Sequence, residues 1–161
     1  MINFDKLTTD IKNGLKQYLF CPVMRGNQLI TPPKFPYIVF NMTALDNGKG
    51  GTWQQHDDGI DRNKNIITLS FTTHSDKYEE SLELSIKARE WLDYVGKTYL
   101  NERGIIVQSV TAVHDRSNFL TTEYMYSYGF DCFIWLYDEV NHPTEEIGTI
   151  ETAELSGQEI K

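Results

Sequence analysis

Two short strings place acid–base side chains next to one another. His56, Asp57 and Asp58 are consecutive, and His114 is followed by Asp115; such residues can supply metal ligands or a general base. Their spacing argues against both roles. Consecutive side chains on an extended chain point in different directions, no His-x-x-x-His or His-Glu-x-x-His element is present, and Asp and Asn are ordinary turn formers. Gly48-Lys49-Gly50-Gly51-Thr52 is half of a phosphate-binding loop. It lacks the first glycine at the proper distance and the Lys-Ser/Thr pair, and no helical pattern comes after it. No serine sits in a Gly-x-Ser-x-Gly turn. Cys21 and Cys132 lie far apart, with no Cys-x-x-Cys spacing and no companion histidine, which reads as two buried thiols in a reducing compartment. No catalytic, cofactor-binding or metal-binding residue is expected. The one enzymatic or ligand-binding alternative would use His56, Asp57 or His114.

Charge narrows the function further. The 161 residues carry 15 basic and 23 acidic side chains, a formal net charge of -8, the wrong balance for a protein that grips phosphates. Arg25 and Arg62 are isolated in the sequence, so nucleic-acid binding is not expected. Neither a basic segment followed by an apolar run nor a stretch approaching the roughly 18 to 20 apolar residues of a membrane span is present. A soluble, unexported protein without membrane contact is expected. With 40% hydrophobic and 12% aromatic residues, the chain has enough apolar surface for one core.

The elements are set by periodicity. Phe4, Leu7, Ile11, Leu15 and Tyr18 recur at three- and four-residue steps and predict a helix over 3–19. Pro22, Pro32, Pro33 and Pro36 exclude helix after it, and Tyr37 to Thr43 alternates as a first strand. A Gly-, Asp- and Asn-rich connection with an isolated Trp53 runs from 46 to 64. Ile66 to Thr73 is a second strand, with Ser75 or Asp76 able to cap the next helix. Leu84, Ala88, Trp91, Leu92 and Val95 form the stripe of that second helix over 77–95, with Gly96 as its stop. Ile105 to His114 and Thr122 to Tyr137 are the third and fourth strands, joined through Asp115-Arg116-Ser117-Asn118. The reading is α+β: a single domain over 1–140 in which a mainly antiparallel four-stranded sheet is covered by two helices, with an extended loop and an acidic C-terminal arm over 141–161.

The last strand is too long for the globule. Sixteen residues at about 3.3 Å span roughly 53 Å, against about 40 Å for a compact chain of this length. Either Gly129 seats a bulge that bends the strand, or a hairpin of the third and fourth strands extends onto a neighbouring subunit. Tyr124, Tyr126, Tyr128 and Phe130 line one side of this strand and Phe133, Trp135 and Tyr137 the other, so both faces want cover. The arm is acidic but carries Ile147, Ile150 and Leu155, and such a segment can pair with a sheet edge, its own or another subunit's. Trp53, Tyr124, Tyr126, Tyr128, Ile147, Ile150 and Leu155 are the candidate assembly contacts.

Several strings resemble the neck or tail terminator proteins of tailed bacteriophages and prophages. Pro32-Pro33-Lys34-Phe35-Pro36-Tyr37-Ile38 is similar to that family's lead into its first strand. Ile66 to Phe71 followed by Leu82 to Leu92 fits its strand and long helix. Asp115 to Leu120 and Gly129 to Ile134 resemble its turn and final core strand. Gly148-Thr149-Ile150-Glu151-Thr152-Ala153-Glu154-Leu155-Ser156-Gly157 is similar to the closing segment of the neck-terminator branch. The resemblance implies a structural virion protein, not an enzyme. It implies a homo-oligomeric ring, commonly six-fold, assembled in the host cytoplasm at the head–tail junction. There it would cap the tail tube protein, join the head connector or stopper protein, and let DNA pass without specific binding. The Gly-rich loop around Trp53 is longer than the family pattern.

Overall fold

A computed structural model describes residues 1–27, 31–46, 59–118 and 125–141. The first helix, α1 (Phe4–Leu19), begins at Asn3, whose side-chain oxygen accepts from Lys6 N at 2.9 Å, satisfying one of the donors that a helix start leaves unpaired. Leu7, Ile11 and Leu15 are buried along one face, whereas Tyr18, the last residue of the predicted stripe, is 39% exposed. Two strands come next, β1 (Val23–Arg25) and β2 (Tyr37–Asp46), paired in parallel. β3 (Ile60–Ser75) returns antiparallel to β2.

The second helix, α2 (Tyr78–Glu90), packs on the sheet through small residues: Ser81, Ser85 and Ala88 are buried. Ser81 ties the helix to the strands, donating from Oγ to Tyr126 O at 3.0 Å and accepting at its carbonyl from Thr73 Oγ1 at 2.8 Å. Neither Ser75 nor Asp76 caps the helix: its N-cap is Lys77, without a side-chain cap, and Ser75 Oγ accepts from Lys77 N at 3.1 Å just ahead of it. Gly96 ends this helix, as its C-cap. The last turn widens into a π turn at Trp91–Val95, closed by Gly96 N donating to Trp91 O at 2.7 Å, and a short helix α3 (Lys97–Asn101) continues from it. Gly96 also serves the indole of Trp91: a Cβ at Gly14 or at Gly96 would run into it, so both glycines leave room for one buried ring.

β4 (Ile106–Val110), the two-residue β5 (His114–Asp115) and β6 (Tyr126–Asn141) complete a mixed six-stranded sheet in the order β1-β2-β3-β6-β4, with β5 also on β6. The fold is α+β, and the sequence reading changes in three ways, the first two of which turn four strands into six. A short parallel edge strand is added. The predicted third strand is divided where Thr111 turns to Asp131, its N–H donating to Asp131 O and its hydroxyl accepting from Asp131 N. The end of the predicted 46–64 loop belongs to β3. Phe40, Phe71 and Phe130 occupy one rung of β2, β3 and β6, stacked at 5.4 and 5.3 Å between centroids, and all are fully buried under the helices. Cys21 and Cys132 are buried free thiols, and burial pushes them up to about 11 and about 12.

The long final strand exists, shifted to 126–141, and pairs on one side with β4 and β5, which occupy the predicted third strand, while its longer pairing is with β3. The two pair without interruption from Ile60↔Asn141 to Ser75↔Tyr126, so Gly129 seats no bulge between them. β2 leaves β3 at Ile66 and β4 leaves β6 at Trp135, which makes residues 60–65 and 136–141 a ribbon of only two described strands. At about 3.3 Å per residue it reaches roughly 20 Å past its flanking strands.

Candidate assembly surface

Among the described residues, α1, α2 and α3 lie on one side of the sheet, and the alternation of the strands divides the side chains accordingly. On β6, Tyr128, Phe130, Cys132, Ile134 and Leu136 are buried beneath the helices, while Phe133 and Trp135 are half-buried and Tyr137 is 60% exposed on the opposite face. Ile66, Trp135 and Ile106 form one rung of that open face, the last of them exposed. Two polar contacts stiffen it. Lys64 Nζ lies 2.8 Å from the centroid of the Trp135 ring, and Trp135 Nε1 donates to Gln108 Oε1 at 2.6 Å. A cation over an indole is attracted by the negative face of the ring, so the row keeps its orientation at the surface.

Further along the face, the string Asp115-Arg116-Ser117 folds back over β6. Asp115 Oδ1 accepts from Ser117 N at 2.8 Å, Arg116 N donates to Ser127 O at 2.8 Å, and Ser117 Oγ accepts from Ser127 N at 3.0 Å. This turn holds the Asp115 carboxyl below its ordinary range, chiefly through the hydrogen bonds from Ser117. Arg116 then reaches across β6 to β3. Its guanidinium donates to Ser70 Oγ at 2.7 Å, Thr72 Oγ1 at 3.1 Å and the Phe71 carbonyl at 3.3 Å, and pairs with Asp131 at 3.2 Å. The sequence reading treated this string as a connection. The signal available there was a Gly on the opposing strand, whose missing side chain the arginine fills.

At the α2 end of the sheet, Tyr78 meets Tyr126 and Tyr128 edge-on at 5.9 and 5.7 Å. Of these candidate contacts Tyr126 is half-buried and Tyr128 is buried, so Tyr128 supports the surface from beneath. His74 lies on the opposite face, its Nδ1 2.8 Å from Ser127 Oγ and its ring 5.0 Å from Tyr37, which also stacks on Phe35 at 5.6 Å. Burial holds the His74 imidazole below its ordinary value. His114 is exposed on β5. Trp53, His56, Asp57, Tyr124, Ile147, Ile150 and Leu155 lie outside the described residues. Among the described residues no group of three His, Cys, Asp or Glu side chains converges as a metal site, and no helix is long and apolar enough to cross a membrane.

An open, aromatic sheet face braced by hydrogen bonds suits attachment to another protein. A family profile described as phage neck terminator protein matches residues 9–161, nearly the whole chain. The chain belongs to the phage neck terminator family. No curated protein matches it. As a neck terminator it is a bacteriophage structural protein and a component of the virion. The match runs through α1, the helix-covered sheet, the Arg116 turn and the residues after Asn141 alike.

Proposed function

We propose that this neck terminator assembles with copies of itself into a closed ring, of six subunits, at the head–tail junction. The ring caps the tail tube protein on one side, meets the head connector or stopper protein on the other, and leaves a passage for DNA that it does not bind specifically. The observation that carries this reading is the family match over residues 9–161. The open face and the ribbon support it, since a half-covered sheet with an exposed Tyr137 beside Trp135 leaves apolar surface that assembly would bury. A net charge of -8 on each subunit supports a passage that repels phosphates rather than holding them.

Within this reading, residues 1–140 are the folded body and 141–161 the acidic arm. Trp53, Tyr124, Tyr126, Ile147, Ile150 and Leu155 contribute contacts between subunits or to neighbouring neck proteins. β6 runs to Asn141, so the arm starts where the ribbon ends. Native mass spectrometry of the full-length protein tests the ring: one closed species at an integer multiple of 18.6 kDa is expected. A monomer at every concentration that also fails to add to purified tails would contradict it. Truncation after Val140 is expected to leave a folded protein, by thermal melt, that no longer joins tails.

A further inference from the structure

Phe20 is the least covered large apolar side chain of the described residues after Met1, at 91% exposed, and it is also conformationally costly. It comes directly after the last residue of α1 with φ 54° and ψ 33°, its N–H donating to Lys16 O at 3.0 Å. This left-handed position normally takes glycine, because a Cβ there crowds the neighbouring carbonyl. The chain thus holds a phenyl ring in solvent at a site where glycine would be easier. Backbone strain at an exposed aromatic residue points to a use outside the subunit.

The other end of the same helix carries a hollow of about 330 Å³. Ile2, Leu7, Ile105, Leu136 and Tyr137 give it apolar walls, and Lys6, Arg103 and Asp10 stand around it. Asp10 is held only loosely by its two bases, at 3.7 Å from Lys6 and 3.8 Å from Arg103. The charges of the two ends are complementary. Phe20 shares its surroundings with Glu79, Glu80, Glu83, Lys77 and Lys87, an excess of one acid, whereas the hollow has an excess of one base. Sixteen helical residues separate the ends by about 24 Å.

We infer that Phe20 of one copy seats in the hollow at the start of α1 of the next copy. The contact joins two different patches, so it is heterologous and can propagate around a ring, whereas a contact of one patch with itself stops at a dimer. The inference rests on the ring reading above and specifies its contact.

Three full-length proteins compared by mass photometry test it: the unaltered chain, Phe20→Gly, which removes the knob and relieves the left-handed strain, and Lys6→Trp, which fills the hollow from an exposed position. Each variant alone is expected to need at least tenfold higher concentration to assemble, with the melting temperature of Phe20→Gly unchanged or raised. Mixed together they are expected to form one-to-one dimers, because the first keeps an intact hollow and the second an intact knob. If Phe20→Gly assembles like the unaltered chain, the knob is wrong while the ring stands. If Lys6→Trp assembles normally or the mixture yields no dimer, Phe20 does not enter this hollow, and its occupant is elsewhere, such as the larger hollow beside Phe20 on a two-fold-related copy. If the unaltered chain stays monomeric throughout, the ring reading and the contact fall together.

Discussion

Arg116 crosses the open face of the sheet directly over Gly129, and its side chain fills the space a Cβ at 129 would need. A methyl group there would meet both the Arg116 guanidinium and the Phe71 carbonyl. Gly129→Ala is therefore expected to destabilise the protein by about 1 to 3 kcal/mol, the usual cost of overpacking. Arg116→Ala is expected to destabilise it as well, by removing the donor that ties β3 to β6. The two effects should not add: a double-mutant cycle in urea is expected to show coupling above roughly 0.5 kcal/mol. Additive losses would mean that the arginine does not depend on the glycine.

The indole of Trp91 is 4% exposed between Gly14 of α1 and Gly96 before α3. Trp91→Ala is expected to cost about 3 to 5 kcal/mol through the cavity it leaves. Gly14→Ala attacks the same site from the other side, and a loss of about 1 to 3 kcal/mol is expected. Chemical denaturation of both variants checks this, and a Gly14→Ala protein as stable as the parent would show that α1 can shift away from the ring.

These positions also show how far the sequence could be read. The apolar periods of α1 and α2 and the alternation around Phe71 and Phe130 were visible because each buries one face, and burial leaves a period. Ile60 to Asn65 was not visible as strand, since Ile-Asp-Arg-Asn-Lys-Asn has the composition of a loop and is held extended by six of the sixteen consecutive pairings between β3 and β6. Tertiary pairing outweighs local propensity there. β1 is three residues long among prolines, too short to carry a period. Gly96 was legible as a helix stop because glycine commonly ends helices, whereas the room it makes for Trp91 was not. Of the surface, the aromatic residues of the last strand were legible. The Arg116 clasp and the exposed Phe20 were not, because both depend on which strands and helix ends come together.

Stability should respond to mild acid through His74. Burial lowers its folded pKa below the ordinary 6.5, so the unfolded chain takes up the proton more readily than the folded one. The contribution of the neutral ring is complete above about pH 6.5 and is lost as pH falls from there through the folded value. Urea midpoints measured from pH 7.5 to 5 are expected to fall more steeply for the parent than for His74→Gln, which keeps a polar side chain facing Ser127. Parallel curves would remove His74 from the account.

The free protein is expected not to shift duplex DNA in a gel at physiological salt. Counterion release needs clustered Lys and Arg, and a net charge of -8 opposes it. A low-micromolar complex would place a basic surface on this chain that its composition does not suggest.

The central claim is a position in the particle. Cryo-electron microscopy of intact virions of the phage that encodes this chain, with a second grid of particles carrying a tagged copy, measures it directly. A closed ring at the head-proximal end of the tail is expected, into which the helix-covered sheet fits, with the tag density on that ring. Tag density at the capsid surface or the distal tail tip, or no copy of the chain in purified virions, would contradict it.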